Sequence, residues 1–282
     1  MKLAQIKLSS SWLTAAIVGK DGYRPIEGWT IASLIREAER RGVVLAKLAD
    51  EMASKAAIAA EPVIPVVPSE VWACGCTYAP SAEFRDSEHG TREGMYAYVH
   101  KAENRPEIFF KGTARVCVGP GEPIGIRSDS TFTAPEPELG VVINVKGQVV
   151  GYLLGNDVSA WDIERENALY LPQSKVYEAC CSLGPVIVTP DEIGDPYKLE
   201  MSCTIMRGNA TTFEGSVSTS KLRRKIEDLI DYLTRSNRVP SAAVVLTGTG
   251  IIVTQEAALQ AGDVVSITVP QIGTLRNPSV VV

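Results

Sequence analysis

Histidine is scarce in this 282-residue chain, with His89 and His100 the two examples. No His-Glu-x-x-His pair is present, nor a Gly-x-Gly-x-x-Gly, a Walker A lysine loop or a Gly-x-Ser-x-Gly elbow. Nucleotide and serine-hydrolase readings therefore lose their sequence support. Positive charge is not in excess either: 28 Lys and Arg stand against 33 Asp and Glu, a net charge of −5. That leaves no overall basic field for nucleic acid or an anionic membrane, and makes a small or metal-bound ligand the expected partner. Apolar runs are short. Val141–Val145 and Val149–Leu154 are split by Lys146 and Gly147, well below the roughly 18–20 apolar residues that span a bilayer. The opening Met1-Lys2-Leu3-Ala4-Gln5-Ile6-Lys7 alternates polar and apolar and lacks the apolar run of an export signal. The expected compartment is the cytoplasm, where Cys74, Cys76, Cys117, Cys180, Cys181 and Cys203 stay reduced. Their spacing lacks the two-residue gap and distant second pair of a zinc site, so core packing is their expected role.

What is present is the composition of an ordinary globular protein, with 45% hydrophobic and 22% charged residues, 23 Gly and 17 Pro. Disorder, collagen-like repeats and coiled coil are excluded. Residues 2–8 and 12–18 alternate as strands, and helical spacing follows over Ile31–Arg41 and Val44–Ala60. Pro62, Pro65 and Pro68 then block helix and favour an extended linker. The expected organisation is a small N-terminal α+β domain over 1–65 and a larger, β-dominated domain over 66–282. In the second, strands are expected at Val71–Cys74, Ile108–Lys111, Glu138–Val145 paired with Gln148–Leu154, Pro185–Val188, Leu199–Arg207, Val244–Leu246 and Val264–Val269. One amphipathic helix, Leu222–Arg235, places Leu222, Ile226, Leu229, Ile230 and Leu233 on a single core-facing stripe. Residues 80–105 are polar and hold both histidines, which reads as a surface loop, or alternatively as a lid over a site.

The chemistry concentrates after residue 135. Glu136-Pro137-Glu138 opens a strand, and residues two apart project to one face. Two carboxylates held together repel, which asks for a compensating cation, unless the pair is simply a solvated strand start. In a hairpin turning at Lys146-Gly147, residue 138 lies opposite residue 155, which brings Asp157 near Glu136. An acid at the end of a buried strand is costly unless paired or coordinating. Three hard oxygen ligands without imidazole or thiolate favour Mg²⁺ or Mn²⁺, or Ca²⁺, over Zn²⁺.

In order along the chain, Glu136-x-Glu138, Gly151-Tyr152, Asn156-Asp157-x-Ser159-x-x-Asp162, Lys175, Leu183-Gly184-Pro185 and Gly262-Asp263 resemble the core signature of the fumarylacetoacetate hydrolase family over residues 70–282. The resemblance implies a mixed β roll behind a small N-terminal domain, a divalent ion on Glu136, Glu138 and Asp157, an active-site Lys175, and a 2-oxo acid as substrate. It also implies a homodimer or homotetramer. The departures are informative. Hydrolases of the family usually carry Gly-x-Asn-Tyr-x-x-His, whereas Gly75-Cys76-Thr77-Tyr78-Ala79-Pro80-Ser81 has serine in the histidine's place. The usual Gly-Thr-Pro-x-Gly is altered to Thr247-Gly248-Thr249-Gly250-Ile251.

Arg105–Lys111 and Tyr170–Tyr177 resemble a branch of the family that removes water from sugar acids, with Glu107 as the acid partner of Lys175. The reaction this implies takes 2-keto-3-deoxy-D-arabinonate to 2,5-dioxopentanoate plus water. Lys175, its pKa lowered by desolvation and a nearby cation, would take the C3 proton, and Glu107 would protonate the departing C4 hydroxyl. Ser81, Phe84, Arg85, Lys111 and Thr249 are the expected substrate contacts, Arg85 through its fork of donors to a carboxylate. Asp162 is expected just behind the site. Two alternatives stand beside this reading. A hydrolase or decarboxylase of an acylpyruvate-like acid would need an attacking water and His89 as base. A non-catalytic sugar-acid or metal-binding protein would bind without turnover.

Overall fold

The computed structural model describes residues 1–9, 12–88 and 94–282; His89 lies outside them. Alternation in the first segments produces strands β1 (Lys2–Ser9) and β2 (Trp12–Gly19), paired antiparallel with Leu3, Ile6, Ala15 and Ala16 buried. Strand β3 (Gly22–Ile26), which the alternation does not announce, pairs with β2. Helix α1 (Ile31–Arg41) has the expected bounds, because Thr30 and Ser33 form a capping box and Gly42, at φ 65°, ends it in the left-handed region. Helix α2 (Leu45–Met52) stops well before Ala60. Past it, Ser54 N donates to Pro25 O at 2.8 Å, and Ile58 exchanges two 2.9 Å backbone bonds with Tyr23. Pairing with β3 thus overrides helical propensity.

Strand β4 (Val71–Gly75) is followed by helices α3 (Ala79–Glu88) and α4 (Met95–His100) and by strand β5 (Glu107–Gly112). The stretch expected as a surface loop is therefore largely helical. Ser81, Ala82, Arg85 and Tyr96 are buried in it, the arginine because carboxylates meet it inside. Next come β6 (Pro137–Ile143), β7 (Val149–Asp157), α5 (Trp161–Glu166), α6 (Leu171–Lys175) and β8 (Cys181–Val188). Strands β9 (Glu200–Arg207) and β10 (Ala210–Ser218), helix α7 (Ile226–Thr234) and strands β11 (Ala243–Leu246), β12 (Val264–Val269) and β13 (Gly273–Val281) complete the chain. Helix α7 buries Ile226, Leu229, Ile230 and Leu233 as expected, although Leu222 precedes it.

The long sheet runs in the order β3-β2-β1-β8-β7-β6-β11-β4-β5, and only β11 with β4 is parallel along this path. A second sheet runs β10-β9-β12-β13, with the short strand Ile124–Ile126 at its edge. One face of the long sheet packs on the second sheet and α7, through Leu139, Val141 and Ile143 against Ile205, Ile267 and Leu229. Its other face packs on α1 and α2, where Val142, Leu153 and Ile187 meet Leu34, Ile35 and Leu48. Both faces of β6 are covered and all seven of its residues are buried. The architecture is a sheet-dominated α+β fold. Among the described residues, no helix is long and apolar enough to cross a membrane.

Candidate metal centre and active site

The β6–β7 hairpin sets the geometry. Glu138 pairs with Gly155, the register read from the turn, and Asp157 N donates to Glu136 O at 3.0 Å. Asn156 Oδ1 accepts from Glu136 N at 3.0 Å, pinning the chain just before β6. Glu136, Glu138 and Asp157 are all buried, and each offers a carboxylate oxygen within 4.8 Å of the others. The three carboxylates expected from the sequence are thus together.

Strand β5 supplies the next wall. Glu107, Phe109 and Lys111 alternate onto one face. Lys111 Nζ lies 2.5 Å from Asp157 Oδ1 and donates to Val158 O at 2.9 Å. The Phe109 ring sits 5.4 Å from Lys175 Nζ. Helix α6 ends with Lys175, whose Nζ donates to Ser159 Oγ at 2.6 Å, Glu136 Oε1 at 3.0 Å and Asp157 Oδ2 at 3.2 Å. Glu164 Oε2, from α5, stands 3.9 Å from the same ammonium. Arg85 of α3 donates to Glu107 Oε2 at 2.8 Å and closely pairs with Glu164.

The electrostatics follow from these contacts. Burial opposes charge on Lys175, but Asp157, Glu136 and Glu164 outweigh it and hold the pKa above the ordinary lysine value. The lowered value expected from the sequence requires a cation on the triad; for the chain's own groups alone, the carboxylates around the ammonium set the opposite direction. Lys111 is likewise buried yet held above its usual value by Asp157. Burial raises Asp157, and Lys111 and Lys175 more than compensate, leaving it below the usual aspartate range. Glu138 differs. Burial, Asp157 and Glu136 all push its pKa well up, and its one described donor is Gly248 N at 2.5 Å.

That asymmetry tests the site against a metal. Glu138 is a fully buried carboxylate with no cationic side chain in ion-pair contact among the described residues, beside two further carboxylates. Such a group is stable as an anion only with a cation. An all-oxygen donor set of this kind fits Mg²⁺ or a similar hard ion.

The expected substrate contacts fall into two groups. Arg85 and Lys111 are not turned toward open space: the first is taken up by Glu107 and Glu164, the second by Asp157 and Val158. Both placements have one cause, since a buried cation seeks buried anions first. Thr249 Oγ1 is engaged with the Ile251 backbone at 3.2 Å, and Phe84 packs edge-on to Trp161 with ring centroids 5.2 Å apart. Ser81 is buried on α3. Asp162 binds Ser130 Oγ at 2.7 Å and Thr131 N at 2.6 Å, shaping the turn behind the site. His100 Nδ1 lies 2.8 Å from Cys76 O, so the described histidine is tied to backbone. Glu164, Ser159 as a lysine partner, and the Gly248 amide were not singled out by sequence reasoning. For Ser159 the motif Asn156-Asp157-x-Ser159 was the available signal; for Glu164 there was none. A cavity of about 180 Å³, lined by Met95, Tyr96, Val99, Glu107, Glu164 and Leu171 among others, adjoins the Glu107 wall.

A buried carboxylate triad at the end of a sheet hairpin, with a lysine reaching into it, defines a class of proteins. Residues 71–281 match the family model described as fumarylacetoacetate (FAA) hydrolase C-terminal, and the chain belongs to that family. Within it, the chain is 49% identical over 214 residues to a probable 2-keto-3-deoxyxylonate dehydratase of Haloferax volcanii, covering 76% of this chain and 73% of that one. It is 48% identical over 217 residues to 2-dehydro-3-deoxy-D-arabinonate dehydratase of Saccharolobus solfataricus, covering 76% and 72%. A solved 2-keto-3-deoxy-D-arabinonate dehydratase complexed with magnesium and 2,5-dioxopentanoate superposes with a TM-score of 0.83 at 38% identity, covering 100% of this chain and 99% of that one.

Proposed function

We propose that this chain is a magnesium-dependent dehydratase of a 2-keto-3-deoxy sugar acid, converting 2-keto-3-deoxy-D-arabinonate to 2,5-dioxopentanoate and water. One observation carries the reading. The Lys175 ammonium touches two carboxylates of the buried triad, while Glu107 stands on the neighbouring wall beside the cavity. That is the arrangement an elimination needs, with a 2-oxo acid held between two groups that handle protons.

A divalent ion on Glu136, Glu138 and Asp157 would polarise the 2-oxo group and draw off the carboxylate charge that keeps Lys175 protonated. Lys175 takes a proton from C3, leaving the enolate of the 2-oxo group. Glu107, in its protonated form and still bonded to Arg85, gives a proton to the C4 hydroxyl, the C4–O bond breaks, and the C3–C4 double bond forms as water departs. Migration of that double bond to C4–C5 gives an enol, which tautomerises to the terminal aldehyde. Phe109 beside Lys175 keeps one side of the ammonium dry. No histidine is required, in keeping with Ser81 at the position where hydrolases carry one. We place the enzyme in the cytoplasm, in pentose catabolism. Six free thiols support a reducing compartment, and the family resemblance supports a homodimer or homotetramer.

An NMR time course tests this, with purified protein given 2-keto-3-deoxy-D-arabinonate or acetylpyruvate, in Mg²⁺ or in EDTA. The expected result is 2,5-dioxopentanoate from the sugar acid with Mg²⁺ alone, and untouched acetylpyruvate. Cleavage of acetylpyruvate with the sugar acid intact would sink the reading. In D₂O, Lys175→Met should lose both deuterium exchange at C3 and water release. Glu107→Gln should keep the exchange and lose the water release, by roughly 10²-fold or more.

A further inference from the structure

Arg85 is an arginine in the wrong place for a surface helix. It is 3% exposed, and its guanidinium spans two carboxylates that belong to different elements, Glu107 on β5 and Glu164 on α5. Tyr96 and Trp161 flank it, with ring centroids 5.0 and 5.7 Å from the guanidinium carbon. The Cys76 sulfur lies 3.4 Å from Nη1. Beyond Glu164 the chain of contacts continues to Ser174 Oγ at 3.4 Å and Lys175 Nζ at 3.9 Å. A further observation points to the same pair. A Cβ on Gly75 would overlap the Glu107 carboxylate, with 2.5 Å to its carboxyl carbon and 2.9 Å to Arg85 Nη1. Gly75 has no positive φ, so what excludes a side chain at that position is the ion pair and not the backbone. Strand β4 leaves a slot there, and the Glu107–Arg85 pair fills it.

We propose that Arg85 is a positioning residue that seats Glu107 in the Gly75 slot and, through Glu164, fixes its placement relative to Lys175. The proposal rests on the dehydratase reading above and assigns the guanidinium to the acid, not to the substrate carboxylate. A bidentate carboxylate partner would be a separate demand on the same fork of donors, and both Nη atoms are already engaged. Glu164 acts as the far anchor of the bridge.

The test uses Arg85→Gln, Arg85→Lys and Gly75→Ala in the full chain, with turnover of 2-keto-3-deoxy-D-arabinonate, C3 deuterium exchange and calorimetric Mg²⁺ binding as readouts. Gly75→Ala guards against misfolding of the arginine variants, since it adds one methyl where the carboxylate sits. Expected is a kcat lower by roughly 10²-fold with KM within about threefold, C3 exchange and Mg²⁺ affinity retained, and partial recovery in Arg85→Lys. Combined with Glu107→Ala, which empties the slot, Gly75→Ala should add no further loss. Overturning results are a raised KM with kcat kept in Arg85→Gln, which would make the guanidinium a substrate ligand, or full activity of Gly75→Ala. A wild-type protein inert on the sugar acid would instead remove the dehydratase reading, and this role with it.

Discussion

At the residue scale, the triad carboxylates are held by opposite means, and the difference is measurable. Asp157 lies between two ammonium groups, 2.5 Å from Lys111 and 3.2 Å from Lys175. Removing its charge strands buried cations. Asp157→Asn in EDTA should therefore be destabilised by about 3–5 kcal/mol, the usual cost of breaking a buried pair from one side. Among the described residues, Glu138 has one hydrogen-bond donor, the Gly248 amide, and two carboxylates close by, so neutralising it relieves the protein in the absence of a metal. Glu138→Gln in EDTA should melt at or above the wild-type temperature. Both variants should lose Mg²⁺ affinity by roughly 100-fold or more, as ligands lost from a hard-ion site. Thermal melts and calorimetric titration read both quantities, and equal destabilisation of the two variants would contradict the charge argument. The cysteines give a second residue-scale expectation. Five are buried and Cys117 is half-buried, and burial pushes Cys76 and Cys203 up to about 12. A thiol raised in this way stays protonated and unreactive until the pH nears that value. Native protein should expose one thiol to a disulfide reagent even at about pH 9, and all six on unfolding.

At the scale of elements, the β6–β7 hairpin carries the site and its glycines admit the neighbouring strand. Gly155 faces Glu138 across the ladder, and a Cβ there would overlap the end of Leu246 from β11. Gly155→Ala should cost about 1–3 kcal/mol by overpacking and weaken Mg²⁺ binding, because the pushed strand carries Asp157 two residues on. A chemical melt with and without Mg²⁺ measures both, and an unchanged midpoint in both conditions would refute it. This hairpin was legible in the sequence because its signal is local: two apolar runs around Lys146-Gly147 fix which residues face each other. The placement of β8 and β11 beside it was not, since those partners arrive from far along the chain and no spacing encodes them. Strand β10 escaped notice because Ala210-Thr211-Thr212-Phe213-Glu214 alternates weakly and lies mostly exposed. Read singly, Arg85 is a loop charge suited to a substrate carboxylate, and Glu164 carries no signal. Only tertiary contact shows that each is the other's reason for being inside.

For the whole molecule, the first 65 residues are joined to the rest by a shared core. Strand β1 pairs with β8, Leu3 opposite Ile187, so the long sheet passes from one segment into the other without a break. Leu3, Ile26, Ile31, Leu34 and Leu48 are fully buried in the same cluster as Val142, Leu153, Leu183 and Val244. Burying each such side chain contributes about 1.5–3 kcal/mol, so these five alone match the net stability of a typical domain, about 5–15 kcal/mol. A chain of residues 66–282 would also leave the edge of β8 open next to the hairpin that bears Asp157, an invitation to aggregate. The family match begins at Val71, yet the matched segment should not stand alone. Expressed without residues 1–65, it should be insoluble or bind Mg²⁺ without measurable affinity, while the full chain should unfold in one cooperative transition reported alike by tryptophan fluorescence and circular dichroism. Soluble 66–282 protein with native Mg²⁺ affinity would show instead that the second sheet and α7 suffice to hold the hairpin, and that the N-terminal strands merely cover it.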